Sequence, residues 1–445
     1  MQSRKSEFLK YLTLSLPLVA AFLSQKGMQF IDTVMMGWIG PSGLAAGALA
    51  TNIFITLTVF CRGALSTVGV SIVHARAREQ YSDISSLLFQ AGYLSLILSV
   101  PIFFLIWISP YFLVAWGQDP AVVEQAKQLI HGLAWGVPGF LLFYTMREYI
   151  SAFALARAIM VVSLIAIPLT FIANYVLIYG RLGLPALGVA GIGYAGSLIG
   201  WFMFFALLWY SLHNSILKQY LTWHYCAWNW NKLKNLWVTG LPSGIILILD
   251  MAVFLISAFF IGRFGVNALA AFQIALQSVT IAFNLPLAIS IVTALESGHA
   301  YTAKDSKKVK RIVSICLIMG LTTSIIISIL LITFPHLVIS IFVPNGEHMS
   351  MIMTSARAFL FIAGLILCFD GSQVIIIGAL RGLNDTFTPM VISVFCYLFI
   401  GLTSAYLLGF HTHLGAAGVW YGLFLGIASL CIIVGWRLKL KLKSI

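Results

Sequence analysis

Three carboxylates stand alone inside long apolar runs. Asp32 lies in Gln29-Phe30-Ile31-Asp32-Thr33-Val34-Met35-Met36-Gly37, and Asp370 in Leu367-Cys368-Phe369-Asp370-Gly371-Ser372-Gln373. Asp250 sits in the run that opens at Gly240-Leu241-Pro242-Ser243-Gly244 and continues to Ile261. An ionised Asp at mid-bilayer costs about 2.5–3.5 kcal/mol on insertion scales, so such groups mark ion or substrate sites. Burial disfavours the charged form, which suits a carboxylate that exchanges a proton or takes up a cation. If Asp250 and Asp370 face one cavity in the C-terminal half, they form a linked pair able to hold protons, a sodium ion or a cationic substrate. Structural pairing with a neighbouring helix is the alternative for each.

Helical spacing gives these acids neighbours. Phe254 falls one turn after Asp250, and Gln373 about one turn after Asp370, so each shares its face. Gln273, Gln277 and Asn284 make one polar stripe on an apolar helix. An aromatic face holds a lipophilic cation, and amide oxygens are ligands for sodium. The same amides also suit hydrogen bonds between helices, worth only about 0.6 kcal/mol each. Lys26 and Arg62 lie within apolar helices too, and both are awkward for a cation cavity. They read as neutralising partners of Asp32 or Glu148, with Lys26 as a competing occupant of Asp32, or as interior ion pairs and snorkelling chains. His74, His299, His411 and His413 fall at helix ends or in an outer loop and carry no assigned role.

The elements that must position these residues are membrane spans. The chain is 60% hydrophobic and 9% charged, with mean hydropathy +0.99. A soluble domain carries about 25% charged residues, so the fold class is an all-α polytopic membrane protein. The net charge of +13 is scattered through short loops, where it sets topology rather than binding nucleic acid. Six cysteines lie far apart with no CxxC, which points to neither zinc nor a disulfide framework.

The first run, preceded by Arg4, Lys5 and Lys10, extends beyond signal-peptide length to Met36 and reads as a retained helix. Further runs follow at about 46–73, 87–108, 126–150, 159–180 and 186–212. After a polar, Trp-rich connector at 213–237 come 238–262, 268–295, 312–334, 352–380, 388–408 and 414–437. These are twelve helices. The connector, with Leu221-Thr222-Trp223-His224-Tyr225 and Trp228-Asn229-Trp230, reads as an interfacial segment whose rings lie at headgroup depth. Twenty Lys and Arg residues fall at the termini and in even-numbered loops, against four in odd-numbered loops (Lys127, Arg181, Arg263, Arg357). That bias predicts both termini in the cytoplasm.

The halves repeat. Leu16-Pro17, Gly37, Gly40 and Leu44-Ala45-Ala46 match Leu241-Pro242, Gly262, Gly265 and Leu269-Ala270-Ala271 without a gap. Near their ends, Leu187-Gly188, Ala190-Gly191 and Tyr194 match Leu414-Gly415, Ala417-Gly418 and Tyr421. Six helices per repeat is an even number, so the repeats run parallel, a plan common in transporters. The expected division is an N-lobe at 1–212, a cytoplasmic connector at 213–237 and a C-lobe at 238–445. No HExxH, paired-Asp motif or nucleophile elbow is present, so no enzyme is expected.

These motifs resemble the multidrug and toxic compound extrusion (MATE) family, in its NorM-type branch, over essentially the whole chain. The residues carrying the resemblance in the first half are Leu16-Pro17, Gln25, Gly27, Asp32-Thr33-Val34-Met35, Gly37 and Leu44-Ala45-Ala46. In the second half they are Gly240-Leu241-Pro242 with Asp250, Ala270-Ala271-Phe272-Gln273-Ile274-Ala275-Leu276 and Gly298-His299. Asp370 with Gly378-Ala379-Leu380-Arg381-Gly382-Leu383-Asn384-Asp385 completes the set.

The resemblance implies two six-helix lobes in a V and antiport of organic cations against sodium or protons, with no cofactor beyond that ion. It implies a monomer in the cell inner membrane. Asp32, Asp250 and Asp370 are then the coupling residues, with Asp250 and Asp370 the sodium ligands if sodium is the ion. Phe254, Gln273, Gln277 and Gln373 are substrate contacts, joined by Phe283, Gln25 and Asn174. The branch usually has Glu where this chain has Asp250. The other bacterial branch places a second carboxylate four residues after an Asn in helix 5, where this chain has Ile178 after Asn174. Some relatives carry Tyr in place of Phe283. The competing reading is a lipid-linked-sugar flippase of the same superfamily, whose anionic substrate favours a basic cavity with Lys26 and Arg62.

Overall fold

A computed structural model describes residues 4–115, 119–222, 226–342 and 347–444. Its long elements are all helices, because in lipid each backbone N–H and C=O must find its partner within the segment. The spans are α1 (Arg4–Ile39), α2 (Pro41–Ala77), α3 (Tyr81–Ala115), α4 (Pro120–Ala134 with Val137–Ala152), α5 (Ala156–Tyr179) and α6 (Val189–His213). The second half continues with α7 (Trp230–Gly262), α8 (Val266–Thr302), α9 (Ser306–Thr333), α10 (Glu347–Gly382), α11 (Phe387–Phe410) and α12 (Gly415–Lys443). Among the described residues, eleven helices are long and apolar enough to cross a bilayer, and α4 makes twelve if its two segments count as one span.

The α4 segments meet at 47°. Gly136 occupies the break, where a Cβ would lie 2.7 Å from Ser197 Cα of α6. Ser197 Oγ donates to the carbonyl of Gly132 at 2.6 Å and holds that close approach. Close packing through small residues is the rule between helices in lipid, where no hydrophobic force joins them.

The repeat is visible in the backbone. Gly40 (φ 132°) and Gly265 (φ 106°) both precede a helix in a conformation open to glycine alone, and Gly188 (φ 55°) and Gly415 (φ 54°) are a second matching pair at positive φ. The offset that takes Leu16 to Leu241 also takes Glu79 to Lys304, both left-handed, at φ 59° and 55°. Each ends a helix, with the next N–H reaching back (Gln80 to Ala75 O, Asp305 to Ala300 O, both 3.0 Å). The repeat therefore preserves backbone turns even where side chains differ in charge.

The chain separates into two compact units, Pro17–Gly244 and Met1–Leu16 with Ile245–Ile445. This division differs from the one expected at the connector, because α1 and α7 each change unit near an internal proline, Pro17 and Pro242. The start of α7 stays with the N-terminal unit because Gly240 and Gly244 lie against α2. A Cβ at Gly240 would overlap the carbonyl of Ala64, and one at Gly244 would lie 2.7 Å from that of Phe60. The start of α1 is tied to the C-terminal unit by ion pairs from Lys10 to Glu296 (2.8 Å) and Arg311 to Glu7 (2.6 Å). In the same unit Arg437 of α12 bonds the buried Asp385 at 2.7 Å.

The connector is docked on the N-terminal half of α3. Tyr93 Oη donates to Cys226 O (2.7 Å), Gln90 Nε2 to Ala227 O (2.8 Å), and Lys232 pairs with Asp83 (2.7 Å). Trp228 packs on Tyr93 and stacks on Trp230. Trp223, His224 and Tyr225 of the expected interfacial segment lie outside the described residues.

Candidate ion-coupling site

In the C-terminal unit a hydrogen-bonded chain joins two of the acids. Tyr397 Oη donates to Asp250 Oδ1 at 2.9 Å. Gln373 Nε2 donates to Tyr397 Oη at 2.9 Å and to Asp370 Oδ1 at 2.7 Å. Asp370, Gln373 and Tyr397 are buried and Asp250 half-buried. Asp370 and Gln373 meet because they lie three residues apart on α10. Each carboxylate keeps its second oxygen outside this chain of bonds, so an ion or proton there leaves the bridge intact. Gln373 Oε1 is buried with no hydrogen-bond partner, a neutral oxygen of the kind hard cations prefer.

Tyr397 was not among the residues expected at the site. It stands in a π-helical stretch, Phe395–Leu402, inside α11. Such wide turns shift the following side chains around the helix and recur at functional sites. The sequence did carry a signal: Tyr is enriched at the membrane interfaces, and this one lies in the middle of an apolar span. Replacing it by Phe removes the bridge and strands Gln373 and Asp250. Tyr397→Phe is therefore expected to cost about 1–3 kcal/mol of stability. A thermal melt unchanged from the parent protein would show the bridge to be idle.

The N-terminal unit holds the third acid. Asp32 Oδ1 accepts from Asn174 Nδ2 at 2.7 Å, joining α1 to α5. Asn174 is fully buried, and its Oδ1 has no partner. Lys26 Nζ donates instead to Gln29 Oε1 at 3.3 Å, so it does not occupy Asp32 here. Glu148 pairs with Arg147 at 2.8 Å, and of the alternatives the sequence left open, neither Lys26 nor Arg62 forms an ion pair with it among the described residues. The adjacent residue takes the role because both side chains are buried together, each about 3% exposed.

The remaining expected contacts are more dispersed. Phe254 and Phe283 are half-buried, as is Gln25. Gln273 and Gln277 are exposed, whereas Asn284 is buried and donates to Thr280 O (3.0 Å) and Ile281 O (3.1 Å) of its own helix. The polar stripe of α8 thus divides into two exposed amides and one spent on the backbone. The repeat offset places Gln25 opposite Asp250, and Asp32 opposite Ser257, which is fully buried. The two halves share a backbone plan but carry their acids at different positions.

A family model described as MatE matches residues 17–176 and 242–407, one stretch in each half. The probable multidrug resistance protein NorM of Synechocystis sp. is 33% identical over 452 residues, covering 99% of this chain and 95% of that protein. The multidrug resistance protein NorM of Burkholderia vietnamiensis is 32% identical, covering 97% and 94%. Among solved structures, the eukaryotic MATE transporter AtDTX14 superposes with a TM-score of 0.86 at 16% identity, covering 98% of each chain. A MATE structure in the bent conformation gives 0.88 at 18% identity, covering 100% of this chain and 96% of that one.

Proposed function

This chain belongs to the MatE family of multidrug efflux transporters, and from that premise we propose that it exports organic cations in exchange for sodium ions or protons bound at Asp250 and Asp370. The observation that carries the proposal is the Asp250–Tyr397–Gln373–Asp370 chain within one unit. Two carboxylates held by neutral donors are an acceptor for cations, and burial makes leaving both unoccupied and charged expensive. An ion entering from outside neutralises the pair, and its release to the cytoplasm restores it. The protein alternates access between those two events.

Two acids also answer an energetic need. Exchange of one monovalent cation for one proton moves no net charge, so only the pH difference drives it, about 1.4 kcal/mol or tenfold per unit. A second coupling ion adds the membrane potential, about 2.3 kcal/mol per 100 mV.

Organic cations are the substrate class that the three intramembrane acids favour. The half-buried rings of Phe254 and Phe283 and the exposed amides of Gln273 and Gln277 supply contacts for them, with Gln25, Asn174 and Asp32 in the N-terminal unit. The names of the relatives support drug export, and the Lys and Arg asymmetry supports cytoplasmic termini in the cell inner membrane. Since one chain carries both repeats, it works as a monomer.

The test is ethidium efflux from proteoliposomes under a sodium gradient and, separately, under a pH gradient. Efflux accelerated by one of them identifies the coupling ion. No response to either overturns the antiport scheme.

A further inference from the structure

A partly open cleft of about 310 Å³ lies in the N-terminal unit, away from the acids of the coupling site. It is lined by Ser82, Asp83 and Ser86 of α3, and by Trp228, Asn229 and Lys232 where the connector runs into α7. Its volume is at the lower end of small-ligand sites.

Two helices begin at this cleft. α3 starts at Tyr81 and α7 at Trp230, and Asn229 Oδ1 caps α7 by accepting from Lys232 N at 3.1 Å. Helix N-termini carry partial positive charge, so together with Lys232 they favour an anion. Asp83 favours a cation at the same place. Lys232 Nζ and Asp83 Oδ1 are 2.7 Å apart, with the side chains 28% and 37% exposed, so a ligand reaches both charges. The wall is held from behind by the fully buried Gln90, which donates to Ala227 O at 2.8 Å and accepts from Asn229 N at 3.2 Å. Ser86 is 7% exposed, yet among the described residues its hydroxyl has no hydrogen-bond partner. It faces the cleft as an unused donor.

The repeat shows where the room comes from. The offset that takes Leu16 to Leu241 takes Glu7 to Lys232 and Ser86 to Arg311. In the C-terminal unit Glu7 pairs with Arg311 at 2.6 Å. In the N-terminal unit Lys232 turns to Asp83, and a short Ser stands in place of the long Arg.

We propose that this cleft binds the headgroup of phosphatidylethanolamine, with its phosphate on Lys232 and Ser86 and its ammonium on Asp83. A carboxylate takes hydrogen bonds from a primary ammonium, whereas the trimethylammonium of phosphatidylcholine has no N–H to give. Phosphatidylglycerol brings a negative charge to Asp83 and nothing to answer it. A lipid is favoured over a soluble phosphate because Trp228 and Trp230 stack at the cleft, 55% and 62% exposed, as rings do at headgroup depth. The inference is independent of ion coupling.

The test is native mass spectrometry of the purified full-length protein in lipid-free detergent, titrated with the three lipids carrying identical acyl chains. The first phosphatidylethanolamine is expected to bind about fivefold tighter than either of the others. Lys232→Gln, and separately Ser86→Val, which fills the cleft and removes no bond, should cut that preference to below about twofold. Ser86→Val leaves the Lys232–Asp83 pair in place and so decides the matter should Lys232→Gln fail to fold. Soluble phosphoethanolamine should bind about tenfold more weakly than the lipid. Equal binding of the soluble compound, no preference among the lipids, or a preference that survives in the folded variants overturns the proposal.

Discussion

Asp370→Asn is expected to reduce gradient-driven ethidium efflux to the level of protein-free vesicles, a loss on the order of 100-fold or more, because the charge that holds the coupling ion is gone. The fold should survive. Asn has nearly the same volume, and its carbonyl oxygen still accepts the 2.7 Å bond from Gln373. The melting temperature should therefore stay within a few degrees of the parent. Asp250→Asn keeps the bond from Tyr397 in the same way and should also lose coupling. Normal export from either variant, with the protein folded, would remove the two-carboxylate scheme.

A second large effect is expected from packing. Gly418 and Gly422 of α12 lie against α11, where a Cβ at Gly422 would overlap the backbone nitrogen of Ala405 and one at Gly418 the carbonyl of Leu408. Neither partner is a side-chain end that can swing away. Overpacking in a core commonly costs about 1–3 kcal/mol, and a backbone partner puts Gly422→Val at roughly 3 kcal/mol or above. The expected result is loss of the monodisperse peak in size-exclusion chromatography and a lower melting temperature. Gly92→Ala is the matched control, since nothing lies within 4 Å of its Cβ position. It should be neutral or stabilising by up to about 1 kcal/mol, the helix preference of Ala over Gly. Similar melts for the two variants would mean that α11 and α12 do not approach as closely as described.

The packing at Gly418 has a counterpart in the other half, and the pair shows how the repeat works. Gly191 of α6 lies against Leu177 of α5 as Gly418 lies against Leu408. The matching Ala-Gly pairs in the sequence were legible as a repeat, but not as contacts. Glycine tells where a backbone can come close without naming what comes there. The same limit applies to Gly240 and Gly244, whose seating on α2 moves the start of α7 into the N-terminal unit. A boundary drawn from hydropathy follows the polar connector, whereas the compact units follow helix packing.

The sequence by itself determined the class of protein, the spans and the identity of the three intramembrane acids. Each of these is settled residue by residue, by the cost of placing a given side chain in hydrocarbon, and needs no knowledge of neighbours. It also determined that Gln373 would lie beside Asp370, because three residues along a helix return to the same face. Only the tertiary structure decided the rest of the site. Tyr397 reaches Asp250 across 147 residues of sequence, and Asn174 reaches Asp32 across 142. Glu148 goes to Arg147 and not to Lys26 or Arg62. Those choices depend on which faces of distant helices meet and, for Tyr397, on a π-helical turn that no periodicity of apolar residues records.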